Sequence, residues 1–207
     1  MTLDRLRPQS KLLFQPLVRV CLRAGLTPNI SSIISLLAAL GAGIAFYLDE
    51  ILLGVLLVAA NAVFDAMDGA IARELGTASK KGDFLDHVLD RYADIFIITG
   101  IFAGGAASWE VGVFALIGVL MSSYLGTQAQ AVGVGRFYGG IMGRADRLLL
   151  LLIAGMLDVL IPGGVLGMPY LGWLLVIFGV LGNYTAIQRF FYVWKHIDEI
   201  QSGREHP

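Results

Sequence analysis

Residues 65–90, DAMDGAIARELGTASKKGDFLDHVLD, decide how the rest of this chain is read. The stretch carries Asp65, Asp68, Asp86 and Asp90 at helical spacing, and apolar runs of membrane-spanning length adjoin it on both sides. A carboxylate at the centre of a bilayer costs roughly 2.5–3.5 kcal/mol on insertion scales. Four of them require a strong compensating partner. Carboxylate oxygens without competing soft ligands select hard divalent cations, so the expected partner is a pair of Mg²⁺ or Mn²⁺ ions.

Working outward, the composition fits that setting. The 207 residues are 57% hydrophobic, with a mean hydropathy of +0.74, which sets the chain apart from ordinary soluble domains. The single cysteine, Cys21, excludes an intrachain disulfide framework and any zinc-ligand pattern. The first residues, MTLDRLRPQSK, lack the apolar core of a signal peptide. A single membrane domain over residues 1–207 is expected, all-α, with six transmembrane helices. An interfacial segment at 1–25 precedes the bundle at 26–194, and a polar, frayed tail at 195–207 follows it.

The segment at 1–25 alternates leucines with Arg5, Arg7, Lys11, Arg19 and Arg23, as an amphipathic juxtamembrane segment does. Pro8 and Pro16 argue against one unbroken helix there. Thr27-Pro28-Asn29 reads as a helix start, with Thr27 as N-cap and Pro28 at the first helical position. The spans then follow at about 28–47, 51–73, 82–103, 109–131, 146–160 and 170–194. Lys and Arg concentrate in the N-terminal segment, the 74–81 connector, the 132–147 loop and the tail, whereas the turns near 49, 105 and 165 hold none. The positive-inside bias therefore puts both termini and all four aspartates on the cytoplasmic side of a cell membrane.

At about 100° per residue, Asp65 and Asp68 share one helical stripe, and Gly82, Asp86 and Asp90 share another. Antiparallel neighbours joined by a short connector would turn these stripes toward each other. Two cations held between them suit in-line displacement at phosphorus. The small residues Gly69, Ala72, Gly76 and Gly82 leave room for a phosphate-bearing group, and Arg73 can grip it in forked geometry.

The complete pattern D-x2-D-G-x2-A-R-x8-G-x3-D-x3-D is present as Asp65, Asp68, Gly69, Ala72, Arg73, Gly82, Asp86 and Asp90. It resembles the signature of the CDP-alcohol phosphotransferases (CDP-alcohol phosphatidyltransferases), and the Thr-Pro-Asn start and six spans are similar to that family as well. The resemblance implies a homodimeric, metal-dependent transferase of phospholipid biosynthesis. Such an enzyme takes a CDP-linked lipid, releases CMP and joins the lipid phosphate to an acceptor hydroxyl. It further implies that Asp65, Asp68, Asp86 and Asp90 hold metal and that Asp90 is also the general base. Asp68, Gly69, Arg73 and Gly82 would contact the nucleotide.

For the acceptor, Arg136, Arg144 and Arg147 cluster with Gln128 and Gln130 around the fourth loop, and guanidinium groups suit a phosphorylated polyol. Within the family this is most similar to the phosphatidylinositol-phosphate and archaetidylinositol-phosphate synthases, which implies inositol 1-phosphate as acceptor and CDP-diacylglycerol or CDP-archaeol as donor. Those enzymes often carry a basic residue where this chain has Gln128 and Gln130, so glycerol 3-phosphate is the alternative acceptor. Outside the family, intramembrane acids also occur in divalent-cation or proton-coupled carriers, but carriers tend to hold ions at mid-membrane on broken helices. Arg91 reads as a structural ion-pair partner of Asp90, Asp94 as a cap or charge partner, and His87 as an ordinary interfacial residue. Membrane lipids are expected partners; nucleic acid is not.

Overall fold

Capping chemistry fixes where the chain first enters a long helix. In the computed structural model, which describes residues 7–135 and 140–201, α2 spans Pro28–Tyr47, and the Thr27 side chain accepts the Ile30 N–H as N-cap. Ahead of it, α1 spans Arg7–Arg23. The remaining helices are α3 (Ile51–Glu74), α4 (Lys80–Ala103), α5 (Trp109–Ala131), α6 (Arg144–Leu160) and α7 (Tyr170–Gln201). The described residues contain no strand beyond an isolated bridge between Val165 and Met168.

Four helices, α2, α3, α5 and the stretch Tyr170–Ile197 of α7, are long and apolar enough to cross a membrane. Many of their large apolar side chains face outward, among them Leu37 at 59% and Leu56 at 57% exposure. A surface of that kind belongs in lipid, and the chain is a multi-pass membrane protein. The two other expected spans fall short of the same measure. α6 has only 17 residues. α4 has 24, but Lys80, Lys81, Asp83, Asp86, Asp90, Arg91 and Asp94 all fall between its start and residue 94.

Two expectations change on folding. Pro16 does not break the N-terminal segment: α1 runs through it without interruption. Pro8 lies in the first turn, where its missing N–H has no acceptor to lose, and Pro16 costs α1 only one internal bond. At the other end, α7 carries the helix through Gln201, past the expected boundary at Trp194, so the first half of the tail is helical.

The packing order differs from the simplest reading of the sequence. α3 and α4 do not pack along each other; α2 lies between them, packed on both. Small residues make this possible. Ser31, Ser35, Ala38, Ala42 and Gly43 line the buried side of α2, and a Cβ on Gly100 of α4 would overlap the Gly43 backbone. Ser35 and Asn61 tie α2 to α3, with Asn61 Nδ2 donating to Ser35 Oγ at 2.8 Å and to the Ser35 carbonyl at 3.0 Å. α5 pairs with α7, and α6 closes on α3 and α7. Val18 of α1 buries against Met67 and Ile71 of α3. The C-terminal half of α3, the N-terminal half of α4 and the start of α6 come together at one place, where Arg144 pairs with Asp65 and Asp90.

Candidate active site

Helical periodicity gathers the acids where these three helices meet. Asp65 and Asp68 come from the last turns of α3, and Asp86 and Asp90 from the first turns of α4. One carboxylate oxygen from each of Asp65, Asp68 and Asp86 lies within 4.8 Å of the others. Asp86, His87 and Asp90 form a second such group, so His87 faces the acids more closely than an interfacial residue needs to. Asp68 and Asp90 are buried, whereas Asp65 and Asp86 are half-buried. Three gathered hard oxygen donors match the chemistry of Mg²⁺ or Mn²⁺.

One member of the cluster is anchored from α2. Ser32 Oγ donates to Asp68 Oδ2 at 2.6 Å, which leaves the other Asp68 oxygen to turn toward the acids. Hydrogen bonds to metal-ligating groups tune affinity about 10–100-fold. We therefore expect Ser32→Ala to weaken Mn²⁺ binding about tenfold with little loss of folding, as titration of the detergent-solubilised protein would measure.

Around the acids, Arg73 lies over Gly69: its Nη1 is 3.2 Å from the point where a Cβ on Gly69 would stand. Any side chain at 69 would push that guanidinium away. Gly82 begins α4 by donating its N–H to the Ser79 hydroxyl at 3.2 Å. It opens onto a cavity of about 660 Å³, to which Asn29, Lys80 and Lys81 also contribute. This basic hollow is one helical turn from Asp86.

The arginines divide into two sets. Arg144, the first residue of α6, reaches Asp65 Oδ2 at 2.5 Å and Asp90 Oδ1 at 2.9 Å. Arg147, one turn on, is buried and pairs with Asp94 at 3.1 Å. Arg91 reaches Asp94 at 3.4 Å and Asp90 at 3.6 Å, as expected for a structural partner. Gln128 lines a small apolar cavity of about 160 Å³ between α5 and α7 with Phe190 and Trp194, and no arginine lines it. Arg136 lies outside the described residues.

Sequence reasoning passed over Arg189. It is buried in α7, donates to the Ser122 carbonyl of α5, and feels the positive charges of Arg147 and Arg91. Thr185, one turn earlier, is fully buried, and its hydroxyl has no partner among the described residues. The signal was available: an arginine inside the last apolar span is costly unless it has work to do.

Carboxylates gathered beside buried arginines in an apolar helical bundle fit a class of protein, metal-dependent enzymes acting on phosphate esters. The profile of the CDP-alcohol phosphatidyltransferase family matches residues 25–184, and the chain belongs to that family. It is 36% identical over 199 residues to the archaetidylinositol phosphate synthase of Pyrococcus horikoshii, covering 95% of this chain and 98% of the relative. It is 35% identical over 187 residues to the phosphatidylinositol phosphate synthase of Mycobacterium marinum, covering 86% and 78%. The crystal structure of the Mycobacterium tuberculosis phosphatidylinositol phosphate synthase with CDP-DAG bound superposes with a TM-score of 0.74 at 28% identity, covering 86% of this chain and 92% of that one. The same enzyme in complex with manganese and citrate also gives 0.74, covering 86% and 88%.

Proposed function

We propose that this enzyme transfers the lipid phosphate of a CDP-linked lipid to inositol phosphate, releasing CMP. The observation that carries the proposal is the gathering of Asp65, Asp68 and Asp86 within 4.8 Å beside Asp90, at the spacing of the family signature. In this reading Asp65, Asp68, Asp86 and Asp90 hold two divalent cations, which when bound neutralise charge developing on the pyrophosphate. Asp68, Gly69, Arg73 and Gly82 receive the nucleotide diphosphate, and Gly82 also lines the basic hollow at the start of α4. Asp90 takes the proton of the acceptor hydroxyl as its oxygen attacks the lipid-side phosphorus. The bond from that phosphorus to the CMP oxygen breaks, and CMP leaves.

The acceptor's phosphate meets arginine. Arg91 and Arg147 share one carboxylate, Asp94, and each keeps a buried Nε without a partner among the described residues. Buried donors left open in this way suit a visiting anion. Arg144, Arg147 and Arg189 are the residues we assign to it, together with Arg136 and Gln128 from the sequence pattern of the same loop. The relatives named as archaetidylinositol phosphate and phosphatidylinositol phosphate synthases favour inositol 1-phosphate over glycerol 3-phosphate.

We further assign α4 and α6 as the remaining two of six crossings. The second half of α4, with Ile97, Ile98 and Ile101 buried, is apolar enough to complete one. The whole chain then forms one domain with residues 1–25 at the interface, working as a homodimer with both termini and the site on the cytoplasmic side. The decisive assay is CMP release from CDP-diacylglycerol or CDP-archaeol by detergent-solubilised protein, with inositol 1-phosphate, glycerol 3-phosphate and free inositol supplied in turn. Release only with glycerol 3-phosphate would replace the acceptor. Under the expected outcome, Arg189→Ala raises the KM for inositol 1-phosphate about tenfold or more, since a charged hydrogen bond contributes about 1.5–3 kcal/mol, and leaves that for CDP-lipid unchanged.

A further inference from the structure

Arg144 binds the carboxylates in an unusual way for a guanidinium. Arginine normally meets one carboxylate with two nitrogens in a fork. Here a single nitrogen, Nη1, touches two carboxylates from two helices, Asp65 Oδ2 at 2.5 Å and Asp90 Oδ1 at 2.9 Å. That is a bridging position between the acids of α3 and α4. The Arg144 Nε is buried with no partner among the described residues, so the side chain is held by charge and not by a full set of hydrogen bonds. We infer that Arg144 is a tethered cation that holds Asp65 and Asp90 until metal arrives, then changes partner to the acceptor's phosphate. The inference rests on the reading that the four aspartates hold divalent cations.

Arg144 takes one oxygen of Asp65 and one of Asp90, and a cation drawn to either acid meets its positive charge at close range. Loading the site therefore displaces the guanidinium. Its neighbours in the fold fix where it goes. Arg144 begins α6, and Arg147, one turn later, lies beside Asp94 and Arg91. Rotation of the long side chain about its own bonds brings a third guanidinium to that cluster without moving the helix. The order of events follows: cations first, phosphorylated acceptor second. Arg144 acts as a positioning residue, and linkage makes the coupling reciprocal, so bound anion also tightens cation binding.

The test is Mn²⁺ binding to the full-length protein in detergent, followed by electron paramagnetic resonance without substrate. Removing an internal competitor raises apparent affinity by the fraction of time that the site was blocked, so Arg144→Gln is expected to bind the weaker Mn²⁺ about tenfold more tightly than wild type. Arg144→Lys, with a shorter reach, falls between. Mn²⁺ should also tighten binding of inorganic phosphate to wild type, and Arg144→Gln should lose that coupling. Unchanged or weaker Mn²⁺ binding in Arg144→Gln overturns the inference while leaving the metal site intact. If that variant fails to fold, Arg144→Lys decides, and Mn²⁺ affinity equal to wild type overturns it. Wild-type protein that binds no Mn²⁺ overturns the cation reading itself, a distinct result.

Discussion

Asp90→Asn is expected to lower kcat by about three orders of magnitude, the middle of the range for loss of a positioned general base. Asparagine keeps the size of the side chain and one oxygen acceptor but cannot take a proton. Asp90 is buried in the first turns of α4, between Arg144 at 2.9 Å and Arg91 at 3.6 Å. Those two arginines have other carboxylates to hold, Asp65 and Asp94 respectively, so the local structure survives the substitution. Asp65, Asp68 and Asp86 remain to hold metal. The variant should accordingly bind Mn²⁺ and CDP-lipid with modest change while CMP release nearly stops. Single-turnover CMP release, measured beside Mn²⁺ binding on the same preparation, separates the base from the ligand role. Turnover near the wild-type rate would remove Asp90 from proton transfer.

Much of this site could be read from spacing because it is local. Asp65 and Asp68 are three residues apart, and Asp86, Asp90 and Asp94 are four apart, so a helix alone lines them up. The Thr27 cap and Pro28 start were legible for the same reason: a cap is a contact across three residues. What escaped was long-range or marginal. Nothing in the order of the chain says that α2 inserts between α3 and α4, because that depends on the small-residue seam of Gly43 and Gly100 meeting in space. The pairing of Arg147 with Asp94 escaped too, because 53 residues separate the two in the chain. Arg189 was hidden because one charge barely alters the hydropathy of a long apolar run. Pro16 was overweighted: α1 continues through it, with Val18 buried against Met67 and Ile71.

Asp94→Asn is expected to destabilise the protein by about 3–5 kcal/mol, the range for removing one partner of a buried ion pair. Asp94 is nearly inaccessible and serves two guanidinium groups at once, Arg147 at 3.1 Å and Arg91 at 3.4 Å. Without it, both charges stay buried in a part of the bundle where Arg189 adds a third. For a chain of this length the loss corresponds to a fall of roughly 10 °C in thermal midpoint, followed by fluorescence-detected size exclusion after heating in detergent. The loss should also be partly recoverable. If the arginines form an anion site, inorganic phosphate can take the place of the missing carboxylate, and it should raise the midpoint of Asp94→Asn more than that of wild type. A midpoint indifferent to phosphate in both proteins would make the cluster purely structural and return the acceptor's phosphate to Arg144 alone. Activity responds through a second route. Arg91, released from Asp94, has Asp90 as its remaining carboxylate at 3.6 Å, and a closer guanidinium occupies an oxygen that would otherwise receive the acceptor's proton. Asp94→Asn should therefore lower kcat as well as stability, and phosphate should restore the midpoint without restoring the rate.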